Sequence, residues 1–301
     1  MKRYVLLSIL IGGLASPVLA WKTDTHQLIS ISATKLSGNY QRFLSEFAIT
    51  RTDADNLLFY GSVAEDDNGR FVYHFYDPIN EMGLDGIFDP APVWGYRHTI
   101  PFFNEFSWVE ARSALYEGLT STTLEMRKNS YAKVFRSLGQ IIHLVEDVAH
   151  PSHTRNDPHA SHYENEAAAK LLNPSHLEDW AHYHSSNVIG FTNNATGPIS
   201  VVSFDDPFKT LALFSNENFF SDDTIFKNYA SPSYGQTNYE DSFIKFGILG
   251  EPVAVVAEDG HIYYVPYIFK TQGVLGGYKL AQVGYFGNQL ADNPGVRELA
   301  F

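Results

Sequence analysis

His143 and Asp147 stand four residues apart in the segment 129–150, where Val134, Phe135, Leu138, Ile141, Ile142, Val145 and Val148 recur at helical spacing. On a helix, that spacing places an imidazole and a carboxylate on one face about one turn apart. Their apolar neighbours leave little of the helix to face water, and a buried ionisable pair is costly unless it is hydrogen-bonded or bound to a cation. Two chemistries meet the requirement: a His–Asp hydrogen bond bracing two helices, or half of a metal site. Beyond Pro151 follow His153, His159, His162, Glu164 and Glu166, with His162 and Glu166 again four apart. Eight of the twelve histidines fall within the 42 residues 143–184. Imidazole nitrogen and carboxylate oxygen in this density suit zinc. The chain has no cysteine, so disulfides, thiol nucleophiles, iron–sulfur clusters and cysteine-type zinc fingers are excluded.

Further nitrogen donors lie upstream. Residues 1–20 read as a secretory leader: Met1-Lys2-Arg3, an apolar run from Tyr4 to about Ala15, and a small-residue ending at Val18-Leu19-Ala20. Cleavage there makes Trp21 the first residue, and its new α-amine, with a reference pKa of about 8, can chelate a metal together with its own carbonyl oxygen. His26, five residues on, offers a third atom. Asp66 and His74 stand in a stretch rich in Gly, Asp, Asn and Pro, 61–101, that reads as a long ordered loop. The expected location is secreted or periplasmic. Loss of the leader takes the formal charge from −13 to −15 over 281 residues.

The elements that must hold these groups are helical. Residues 24–47 carry apolar positions at three- and four-residue spacing behind a Thr23 or Asp24 cap, and read as one or two helices. Helical periodicity returns at 106–119 and at 129–150, where Pro151 is the expected stop. Short helices are expected at 166–172 and 177–184 on either side of a histidine-rich loop. Past residue 195 the pattern loosens. Val253 to Val256 and Ile262 to Val265, separated by Glu258-Asp259-Gly260, read as a hairpin, and a last helix is expected near 276–284. The fold class is therefore mainly α, in a single domain over 21–301 with a small late β-hairpin, 195–301 being its least patterned part. The excess of 34 acidic over 21 basic residues argues against a histone-like role, since such affinity comes from Lys and Arg.

Several segments, in order and spacing, resemble the secreted zinc-dependent phospholipase C family and its relatives, the zinc-dependent single-strand nucleases. These are Trp21, His26, Gly61-Ser62-Val63-Ala64-Glu65-Asp66, His74-Phe75-Tyr76-Asp77-Pro78, and His143-Leu144-Val145-Glu146-Asp147 followed by Pro151 and His153. They span roughly residues 21–190. The resemblance implies a multi-helix domain holding three zinc ions in one cleft. Carried over, Asp66, His74, His143 and Asp147 hold one ion; Trp21, His26 and a bridging Asp147 hold a second. His153 holds the third with a His and a carboxylate one turn apart, for which His162 and Glu166 have the spacing; His159, Glu164, His176 and Glu178 are rivals. Asp66 would also orient or deprotonate the attacking water, as catalytic base.

The reaction implied is hydrolysis of a phosphoric ester. The segment from His74 is closer to the phospholipases, whereas the spacing of Trp21 and His26 is closer to the nucleases. The acidic charge disfavours a stable nucleic-acid partner and favours a phospholipid, met in transient contact with a membrane surface. Phe102, Phe103, Phe106, Trp108, Phe219 and Phe220 are aromatic candidates for that contact or for the core. A single-strand nuclease or 3′-nucleotidase, and a secreted protein that binds zinc without turnover, are the alternatives.

Overall fold

The computed structural model describes residues 23–97, 104–157, 178, 181–182, 201–218, 221, 253–256, 262–265, 267–270, 278–283 and 296–298. These residues are mainly helical. In chain order the α-helices are α1 Thr23–Leu36, α2 Gly38–Glu46, α3 Arg51–Ala64, α4 Ala91–Tyr96, α5 Trp108–Thr120, α6 Leu124–Asp147, α7 Pro151–Thr154 and α8 Asp206–Asn218. Side-chain oxygens cap four of them: Ser37, Thr50, Ser107 and Thr123 accept from backbone N–H groups of the first turns of α2, α3, α5 and α6. No helix among the described residues is long and apolar enough to cross a membrane.

The segment 24–47 is two helices, broken at the Ser37 cap. The stretch read as a loop from residue 61 is more ordered than expected. Helix α3 runs into it as far as Ala64, 3-10 helices occupy Asp67–Tyr73 and Leu84–Gly86, and α4 follows. The strongest helix starts earlier than its apolar pattern, at the Thr123 cap, and ends at Asp147 with Val148 as C-cap. Pro151 does not stop α6; it opens α7, where its missing N–H has no partner to lose. Helix α8 falls in the part read as loosely patterned. Its Phe208 and Ala212 are nevertheless fully buried and join Trp94, Ile141, Leu144 and Val148 in one core.

Backbone contact brings α3 against α6. A Cβ added to Gly139 would lie 1.9 Å from the carbonyl oxygen of Leu58, and one added to Gly61 would lie 2.1 Å from that of Arg136. Only glycine permits this approach. It carries Asp66, two residues past the end of α3, to the face of α6 that bears His143 and Asp147. A second core, Leu44, Ala54 and Phe135 with Tyr40 and Phe43 packed on it, ties α2 to the same pair.

Later in the chain Val253–Val256 pairs antiparallel with Ile262–Val265, and Tyr267–Lys270, Tyr278–Val283 and Val296–Glu298 form a three-stranded antiparallel sheet. The turn Glu258-Asp259-Gly260 lies outside the described residues. The helix expected near 276–284 is a strand over 278–283, where Tyr278, Leu280 and Val283 favour extended backbone.

Candidate metal centre

Three histidines converge on the carboxylate of Asp147 at the end of α6, and Asp66 meets two of them. Oδ2 of Asp147 lies 2.6 Å from His74 Nδ1 and 3.2 Å from His143 Nε2, and Oδ1 lies 3.2 Å from His26 Nε2. Asp66 Oδ1 lies 3.4 Å from His143 Nε2 and 3.7 Å from His74 Nδ1. None of these nitrogens or carboxylate oxygens has an aligned hydrogen-bond partner among the described residues. His26, His74, His143 and Asp147 are completely buried, and Asp66 is buried to 7% exposure with both carboxylate oxygens covered.

Buried polar atoms are almost always hydrogen-bonded. Here both oxygens of two aspartates and nitrogens of three histidines face one another without bonding, the arrangement of atoms that share a cation. Around a tetrahedral zinc with bonds of ~2.0–2.1 Å, neighbouring ligand atoms stand about 3.4 Å apart. The separations of Asp66 from His74 and His143, and of Asp147 from His143, match that edge, while the 2.6 Å contact of His74 with Asp147 must open. The buried groups form two overlapping sets able to hold a metal ion, His26–Asp66–His143 and His74–His143–Asp147, each with ligand atoms within 4.8 Å of one another.

The rings are oriented from behind. His26 Nδ1 donates to Glu146 Oε2 at 2.6 Å, and Ser30 Oγ donates to the other oxygen, Oε1, at 3.0 Å. His74 Nε2 donates to the backbone carbonyl of Glu65 at 3.3 Å, so its Nδ1 faces Asp147. The Glu65 side chain is occupied elsewhere: Arg70 grips Oε2 at 2.7 and 3.1 Å, and Trp94 Nε1 donates to Oε1 at 2.8 Å. Arg70 also donates to Gln140 and Asn104. His153 Nδ1 donates to the His74 carbonyl at 3.3 Å, which assigns any ligating role to Nε2, and its ring stacks on Phe75. Helix α8 secures this segment: Ser215 donates to the Ala149 carbonyl and Asn216 to that of Thr154.

Electrostatically the centre is a buried ion cluster. Burial favours the neutral acid of Asp147, but the charges of His143 and His74 overcome it and hold the carboxyl well below its ordinary value. Burial likewise favours neutral His143, and the negative charges of Asp147 and Asp66 outweigh it, leaving the ring well above 6.5. Burial and the neighbouring His143 press His26 toward neutrality, and its contacts with Asp147 and Glu146 raise it nonetheless.

Of the residues proposed from sequence, the structure brings together His26, Asp66, His74, His143 and Asp147, with His153 beside them, its Nδ1 3.9 Å from Asp147 Oδ2. Trp21, His162 and Glu166 lie outside the described residues, as do the rivals His159, Glu164 and His176. Glu178 is described and buried. Of the aromatic candidates, Trp108 packs against the core and Phe106 lies under the Arg136 guanidinium; Phe102, Phe103, Phe219 and Phe220 lie outside the described residues. The orienting residues Glu146, Ser30, Glu65 and Arg70 were not found as such. Two of them, Glu65 and Glu146, stand directly before a ligand aspartate, at 65–66 and at 146–147.

Comparison of the sequence with known protein families and with curated proteins returns no match.

Proposed function

We propose that the chain is an exported, zinc-dependent phosphoric ester hydrolase of phospholipase C type, cleaving a phospholipid to diacylglycerol and a phosphorylated headgroup. The observation that carries this reading is the convergence of His26, His74 and His143 on the buried Asp147, with Asp66 beside His74 and His143 and with ligand atoms that lack hydrogen-bond partners among the described residues. Asp66, His74, His143 and Asp147 are the ligands of a first zinc. The Trp21 amine and carbonyl, His26 and Asp147 serve a second, and His153 with His162 and Glu166 a third.

Bound zinc supplies Lewis acidity toward a phosphate oxygen and acidifies water. The chain's own residues supply the rest. Asp147 provides the shared negative charge, and burial of the cluster keeps bulk water from competing with substrate. Asp66 accepts the proton of the attacking water. The preference for a phospholipid rests on the likeness of His74-Phe75-Tyr76-Asp77-Pro78 to the phospholipases and on the net charge of −15 left after loss of residues 1–20, which repels a polyanion.

The test is a side-by-side assay of the zinc-loaded protein on short-chain phosphatidylcholine, single-stranded DNA, RNA and a 3′-nucleotide at one pH and salt. Turnover of phosphatidylcholine is expected. Turnover confined to the nucleic acids replaces the substrate with that of a nuclease, and global unfolding on chelation with no activity on any ester replaces the enzyme with a structural zinc protein. The exported chain should begin at Trp21 by intact mass; any other start removes the amine ligand.

A further inference from the structure

We propose that Glu146 is a positioning residue for His26, setting its tautomer and its strength as a metal ligand without ligating itself. The inference rests on the reading of this cluster as a zinc centre. Glu146 and Asp147 are consecutive at the end of α6, so their side chains leave the helix about 100° apart. Asp147 turns to the centre, while Glu146 turns to α1 and meets two residues one helical turn apart, His26 and Ser30. The carboxylate thus spans one face of α1, with one oxygen on each residue.

The consequence for His26 is geometric. With Nδ1–H committed to Glu146, Nε2 carries the lone pair, and Nε2 is the atom that stands 3.2 Å from Asp147 Oδ1. The ring plane is held as well, because His26 stacks on His143 with centroids 3.8 Å apart and planes within 19°. A carboxylate on the far nitrogen also makes an imidazole a stronger donor to a metal.

The Glu-Asp pair at 65–66 shows that adjacency to a ligand does not by itself produce this role. Glu65 precedes Asp66 as Glu146 precedes Asp147, yet its carboxylate is held by Arg70 and Trp94, and it reaches His74 by hydrogen bond only through its backbone carbonyl. A change in the Glu65 side chain leaves that acceptor in place. A change in the Glu146 side chain alters the group that His26 touches.

The test is a competition titration of metal-free protein with zinc against a chromogenic chelator, on wild type, Glu146→Gln and Glu146→Ala. Thermal melts of the metal-free proteins and 15N-histidine spectra accompany it. Glu146→Gln keeps an acceptor and the volume but loses the charge, and should weaken one zinc by roughly 10–100-fold while the other ions bind as before. Glu146→Ala should weaken the same ion at least as much and release the His26 tautomer, seen as a shift of its Nδ1 and Nε2 resonances. If Glu146→Ala fails to fold, Ser30→Ala, which loosens the carboxylate without removing it, should weaken the same ion to a smaller extent. Variants that melt earlier but bind every ion with wild-type affinity overturn the proposal and leave Glu146 a structural brace. Wild-type protein that binds no zinc overturns the zinc reading itself, a separate result.

Discussion

The two sides of the centre are built on different logics. On the side of α3, His74 and Asp66 bracket a 3-10 helix whose shape is locked by a buried ion pair: Arg70 on Glu65, with the guanidinium 4.9 Å above Trp94 and Tyr73 stacked on that indole. The lock spends its charges internally and presents His74 through a backbone carbonyl. On the side of α1, the carboxylate of Glu146 is placed directly on the ring of His26. The first side is a rigid frame whose failure is a folding failure. The second is an electrostatic coupling whose failure is a binding failure, and the two respond to different substitutions.

Asp147 is common to both sides and its loss should have the largest effect. Asp147→Asn should release more than one zinc per chain by elemental analysis and reduce turnover beyond the roughly 10–100-fold that outer partners of a metal site cost. His153→Ala should release one ion. Equal losses from the two variants would remove the bridging role of Asp147.

The frame is tested next. Arg70→Ala leaves Glu65 buried without its guanidinium and should destabilise the metal-free protein by about 3–5 kcal/mol in denaturant unfolding. A variant of wild-type stability would show that the frame does not depend on this ion pair. Gly139→Ala forces apart the α3 and α6 backbones that set the two sides facing each other. It should cost about 1–3 kcal/mol, as overpacking does, and weaken zinc on both sides at once. Loss confined to one side would separate them mechanically.

The smallest effect is in pH. Because His143 is raised well above 6.5 in the fold, its contribution to metal-free stability is complete below 6.5 and disappears as pH climbs past the raised value. Asp147, held below its ordinary 3.8, contributes above 3.8 and loses that contribution as pH falls toward its depressed value. The cluster therefore stabilises the metal-free chain most between these ordinary values. Zinc needs neutral rings, so the rise in Tm on adding zinc should grow from pH 5 to pH 8. A rise independent of pH would mean that zinc binds without displacing these protons.

What could be read in advance follows the range of the interaction. His143 and Asp147 were legible because one helical turn brings them together whatever the rest of the chain does. The apolar register of α6 was legible for the same reason, although its start required the Thr123 cap, which periodicity does not report. Helix α8 was missed because its buried apolar residues, Phe208 and Ala212, are few, and Trp94, Ile141, Leu144 and Val148, with which they form a core, are distant in sequence. The orienting contacts are also distant in sequence: 120 residues separate His26 from Glu146, and 70 separate Arg70 from Gln140.

The sequence by itself determined which atoms were available: imidazoles and carboxylates in place of thiolates, a helix with a His and an Asp on one face, and glycines where two helices touch. The tertiary structure decided how two identical Glu-Asp dipeptides divide their labour. A residue's type sets what it can donate or accept, but which partner it meets depends on backbones brought within contact by packing. Here the approach of α1 and α3 to α6 gives Glu146 a histidine and Glu65 an arginine.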